Sequence, residues 1–167
     1  MSIEKSILKD IGIYKNRLIS SILKSKNVCE ALLLNKEYNE ENVDNLIYTQ
    51  VFPYLYVEDT QTSVLPYICM EVNIPRIPTN TIKEIEVILW VYGHKDCMKY
   101  SKNGYLGTRT DIISDMIMRE IFDSNKFGIG KLTLNSVRYI FPNNKYYGRE
   151  LRLITSDFKV KEVEESL

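Results

Sequence analysis

The run TIKEIEVILWVYG, residues 81 to 93, limits the possible folds more than any other stretch of this chain. Read as a strand, it places Ile85, Val87, Leu89 and Val91 on one face and Glu86, Ile88, Trp90 and Tyr92 on the other. Only the early part of the second face is polar. A strand apolar on both faces belongs in the middle of a sheet, with further strands beside it and cover above and below. The neighbours are at hand: FPYLYVE (52–58), LPYICMEVNIP (65–75), LTLNSVRYIF (132–141) and RELRLITSDF (149–158) are all rich in Tyr, Val, Ile or Leu and bounded by turn residues. Between the second and third runs, IPRIPTNT (74–81) holds two prolines that cannot donate to a ladder, which predicts a long hairpin loop or an edge excursion.

The cover comes from helical patterns. From Ser2 to Leu23, apolar residues recur three or four apart at Ile3, Ile7, Ile11, Tyr14, Leu18 and Ile22, the stripe of an amphipathic helix. NVCEALLLN predicts a short second helix, with Asn27 and Glu30 spaced as a capping box. ENVDNLIYTQVF adds a further turn that must stop at Pro53. TRTDIISDMIMREIF (108–122) returns to helical spacing through Ile112, Met116, Ile117 and Ile121, with Thr108 or Thr110 as cap and FGIGK as a glycine stop. The expected order is α, short α, β, β, β, α, β, β. This is an α+β fold, a mainly antiparallel β-sheet with an N-terminal helix and a second helix packed on one face. One domain spans 1–158, with a helical segment over 1–50 and sheet plus helix over 51–158, and a flexible acidic tail follows at 159–167.

Composition narrows the function. Lys+Arg and Asp+Glu both number 22, so the formal net charge is zero and the overall electrostatic footprint of a polyanion binder is missing. Cys29, Cys69 and Cys97 form neither a disulfide framework nor a zinc pattern, which predicts reduced thiols. Charges break the N-terminal apolar run, so the reading is a protein made and used inside a cell without a membrane anchor.

Candidate chemistry is sparse. His94 and Cys97 flank Asp96, but two ligands do not hold a structural zinc, and a loop role is the simpler reading. FGIGK follows a helix, the wrong side for a phosphate cradle, and GYLGTRTD lacks the Lys-Ser/Thr of a phosphate loop. Glu84 with Glu86, and Asp111 with Asp115, share faces as solvated surface carboxylates do. The expectation is therefore no enzyme, no catalytic residue, no cofactor and no metal. Twelve tyrosines and one tryptophan favour protein contact, because Tyr is enriched at interfaces, and the basic neighbours that base stacking requires are few.

The element order, together with GTRTDIISDMI, FGIGKLTL and YYGRELRLITSDF, resembles the tail-terminator and neck (head–tail joining) family of tailed bacteriophages, over about Pro53 to Phe158. The resemblance implies a virion protein, assembled in the host cytoplasm, that forms a ring, commonly a hexamer, at the head-proximal end of the tail. Such a ring ends polymerisation of the tail tube and sheath and docks the tail to the head connector, with DNA only passing through its lumen and no membrane involved. Its partners would be copies of itself, the tail tube and sheath proteins, and connector proteins. Arg109, Asp111, Tyr146, Tyr147, Arg149, Arg152 and Asp157 are the expected subunit or ring contacts, with Tyr146 to Gly148 as the turn of a terminal hairpin. The alternatives are a head-completion or stopper protein, a small nucleic-acid-binding module, or an α+β domain with no assembly role.

Overall fold

A computed structural model describes residues 7–77, 82–122 and 132–158; of the side chains of Ile7, Ile82 and 156–158 only the backbone is considered. The chain runs through α1 (Ile7–Lys24), α2 (Lys26–Leu33), α3 (Glu40–Asp44), β1 (Val51–Phe52), β2 (Pro66–Arg76), β3 (Ile82–His94), α4 (Arg109–Ile117), β4 (Thr133–Asn143) and β5 (Tyr146–Phe158). A wider, π-type turn over Met118–Phe122 prolongs α4. The strands form one sheet in the order β1-β2-β3-β5-β4, antiparallel except for β1 against β2. The α+β architecture is as the sequence predicts, with β3 at its centre.

Pairing puts the doubly apolar strand between β2 and β5, Val91 opposite Ile68 on one side and Arg149 on the other. One face of the sheet carries Ile68, Met70, Ile85, Val87, Leu89, Leu151 and Leu153. These residues bury against Tyr14, Leu18 and Ile22 of α1, Val28 and Leu32 of α2, and Ile112, Ile113 and Met116 of α4. Each fully buried aliphatic side chain there contributes about 1.5–3 kcal/mol. Polar struts fix the helices to the sheet: Lys83 of β3 pairs with Asp10 of α1, and buried Gln50 donates from Nε2 to the carbonyls of Leu32 (2.6 Å) and Pro66 (3.1 Å).

Among the described residues, the opposite face is covered by chain at one end. FPYLYVE does not make a strand beyond Phe52; the segment from Pro53 to Leu65 crosses the sheet as a loop, stacking Tyr56 on Phe52 (4.2 Å between centroids) over buried Tyr67, Tyr92 and Tyr146. Tyr56 serves as a lid, a role that strand-like composition does not distinguish from a ladder. Two further expectations are corrected. Ser25, rather than Asn27, caps α2, and the Asn27 amide instead donates to Glu120 Oε1 at 2.7 Å. The last hairpin turns at Asn144 and Lys145, so Tyr146 and Gly148 lie inside β5. FGIGK and the tail 159–167 lie outside the described residues, as does the end of IPRIPTNT. Among the described residues no helix is long and apolar enough to cross a membrane.

Candidate functional site

The antiparallel partner of β5 is the outermost strand, β4, and most of its side chains are exposed. Register places Leu134 opposite Leu153, Val137 opposite Leu151 and Tyr139 opposite Arg149, on the face that the helices cover farther in. The helix layer stops short of β4, so Leu134 (38% exposed), Val137 (51%), Tyr139 (60%) and Phe141 (56%) stand in a row facing solvent. Tyr147 lies parallel to both Tyr139 and Phe141, at 6.5 and 6.0 Å. An eleven-residue strand with an aromatic stripe, at the edge of the sheet among the described residues, is a ready template for another chain.

Three of the residues predicted from sequence meet beside this stripe. A groove of about 260 Å³ opens between the β4–β5 hairpin and the start of α4, lined by Asp111, Tyr147 and Arg149 together with Lys95, Thr110 and Tyr139. Thr108 caps α4 through a full capping box with Asp111. The Asp111 carboxylate also accepts from Arg149 Nε at 2.8 Å. Burial pushes its pKa up, but the Arg149 hydrogen bond and those from Thr108 outweigh this and hold it below the usual aspartate range. Asp111 is therefore an anion fixed by its neighbours, and the groove has a rigid charged wall.

The other predicted contacts are placed differently. Arg109 is 8% exposed: its Nε donates to Cys97 O (2.7 Å), its Nη1 to Ala31 O (2.8 Å), and its guanidinium lies over Tyr100 at 4.3 Å. It is an internal strut between α2 and the loop after β3, not a surface anchor. Tyr146 is fully buried, its hydroxyl 2.8 Å from Glu58 Oε2 and 3.0 Å from Ser63 O, and it too offers no surface. Arg152 stands on the open face of the sheet, held by Glu150 (2.8 Å) and Glu86 (3.1 Å), with Trp90 donating to Glu150 at 3.0 Å. Asp157, in β5, pairs by backbone with Lys83 of β3; its side chain is outside the described set.

The carboxylate pairs are absorbed into the same kind of structure, Glu84 with Arg76, Glu86 with Arg152, Asp115 with Arg119. His94 is 4% exposed and its Nδ1 accepts from Asp96 N at 3.1 Å, while Cys97 Sγ donates to His94 O at 3.2 Å. Burial pushes the Cys97 thiol up in spite of the lowering effect of Arg109, so it is not poised as a nucleophile. Among the described residues no group of three or more His, Cys, Asp or Glu side chains could hold a metal ion.

Sequence reasoning missed a second exposed aromatic group, at the other end of the sheet. Tyr48 (61% exposed), Tyr54 (45%) and Leu55 (48%) flank β1, with Tyr48 and Tyr54 both against the Phe52 ring. The signal was the Tyr and Leu content of YTQVFPYLY, residues 48–56, whose first part read as a helical turn and whose second part read as strand.

Comparison with curated proteins gives no match. Comparison with protein families does: residues 25–155, from the cap of α2 to the interior of β5, match the YomW family. With well over half of its length aligned, the chain belongs to the YomW family.

Proposed function

We propose that this chain is a structural subunit of a phage-type virion, forming a ring at the head-proximal end of the tail that ends polymerisation of the tail tube and sheath and joins the tail to the head connector. The observation that supports it best is the β4 edge, which has no strand partner among the described residues and whose apolar stripe projects past the helix layer where an isolated domain gains nothing from exposing it. The groove at Asp111, Tyr147 and Arg149 gives that edge a polar rim, the anatomy of a specific protein contact. In this reading the chain works by binding protein, and DNA passes through the lumen without being gripped, in keeping with its zero net charge.

Electron microscopy of the full chain mixed with tail tubes from the same virus tests this. Rings capping one end of tubes of restricted length are expected. Tubes that elongate uncapped would overturn the terminator role, and binding to connector rings instead would move the chain to the head-side stopper.

A further inference from the structure

The two exposed aromatic groups lie at opposite edges of one sheet, beside β1 and along β4. Their electrostatic settings are opposite as well. Residues 133–145, β4 and its turn, hold two basic side chains, Arg138 and Lys145, and no acidic one; Glu150 lies opposite Arg138 in the ladder and Arg149 is paired with Asp111. Residues 36–48, leading to β1, hold four acidic side chains, Glu37, Glu40, Glu41 and Asp44, against the single base Lys36. Among the described residues no salt bridge engages Arg138, Lys145, Glu40, Glu41 or Asp44. The neutral total therefore conceals a dipolar pattern, basic at the β4 edge and acidic at the β1 edge.

Tyr48 adds a local sign of display. Its φ of 58° lies in the left-handed region, which a bulky aromatic residue occupies at a cost, and its N–H is anchored to Val51 O at 2.9 Å. The ring so presented is mostly exposed rather than driven into the core. Backbone strain is here bound up with an outward-facing aromatic side chain.

We infer that these edges are the two halves of one contact between copies of this chain: the β4 stripe of Leu134, Val137 and Phe141, with Arg138 and Lys145, seats on the acidic aromatic edge of Tyr48, Tyr54 and Leu55 on the next copy. Apolar rows meet at the centre and opposite charges at the rim, which selects the partner and speeds encounter. Because the two surfaces differ, the contact is heterologous and repeats head-to-tail, closing to a ring where the rotation per step permits. This deepens the reading of the chain as a ring subunit and rests on it.

Two variants test it by light scattering of the full chain. Val137→Asp with Phe141→Asp spoils the β4 edge; Tyr48→Asp with Leu55→Asp spoils the other, and Asp is among the residues that tolerate a left-handed φ. The wild type should assemble, and each variant should be monomeric with an unchanged far-ultraviolet spectrum. An equimolar mixture should stop at dimers, because each variant keeps one sound face and the two spoiled faces are both acidic. Lys145→Glu, at an exposed turn position, should weaken assembly severalfold with the fold unchanged. A mixture that stays monomeric, either variant assembling like the wild type, or a wild type monomeric at every concentration would overturn the inference. A monomeric wild type that still caps tail tubes would overturn this contact while leaving the tail reading standing; head-to-tail assembly with no affinity for tubes would do the reverse.

Discussion

Arg149 on β5 donates from Nε to Asp111 Oδ1 at 2.8 Å, while Asp111 Oδ2 accepts from Thr108 N at 3.1 Å, so one carboxylate both starts α4 and ties it to the outer hairpin. The geometry of the groove beside β4 depends on that single side chain. Arg149 and Asp111 are 38% and 29% exposed, so solvent screens the pair and its coupling in a double-mutant cycle should be modest, about 0.5–1 kcal/mol. Asp111→Asn should cost about 1 kcal/mol more than Arg149→Ala, because it also weakens the capping box. Urea unfolding of the two single variants and the double variant measures both quantities.

Arg109→Ala should destabilise the chain by about 2–4 kcal/mol, leaving the buried carbonyls of Ala31 and Cys97 without their donors. Arg109→Lys should recover less than half of that, since one ammonium cannot reproduce a planar fork that serves two carbonyls and stacks on Tyr100. Denaturant midpoints of the three proteins decide it.

Gly148→Ala should prevent folding or cost at least about 3 kcal/mol, because a Cβ there would lie 1.9 Å from Val91 O and 2.5 Å from Tyr92 Cα, backbone that cannot retreat without parting β3 from β5. Circular dichroism during heating reads the effect. A variant as stable as the wild type would place β5 differently against the central strand.

How much of this was legible from sequence varies by element. The helical stripe through Tyr14, Leu18 and Ile22 and the doubly apolar β3 follow from periodicity, because burial of a face repeats along an element. Tyr146 and Gly148 did not: an aromatic pair before a glycine reads as a turn, whereas here the glycine is needed for close approach of two strands and the tyrosine for the far side of the core. Arg109 reads as surface because nothing local reveals that a carbonyl from α2 and another from the loop after β3 converge on it. Val137, Tyr139 and Phe141 alternate as any half-buried strand does; that their face outruns the helices is a property of the assembled layers.

Glu58 should make the fold acid-sensitive in a defined window. Hydrogen bonds from the Ser63 backbone and hydroxyl, aided by Tyr146 and Thr60, lower its pKa from 4.5 to about 2. A depressed folded pKa means that the stabilisation is complete above the unfolded value and is lost as pH falls through the folded one. The stability advantage of the wild type over Glu58→Gln should thus be constant at neutral pH and shrink from about 4.5 downward toward 2. Unfolding free energies of both proteins across that range provide the check, and an advantage that grows on acidification would contradict it.

Cys29 and Cys69, pushed up to about 11 chiefly by burial, should react with a disulfide reagent only as fast as the fold opens. Labelling rates that rise steeply with sub-denaturing urea are expected; rapid labelling of the native protein would mean that these thiols are more accessible than the structure places them.

Analytical ultracentrifugation of the full chain, alone and with tail tubes, tests most directly the claim that it builds a closed ring from unlike edges. One discrete oligomer of the chain alone, which also binds the tubes, is the predicted result. A chain monomeric on its own, or an open-ended ladder of sizes, would contradict it.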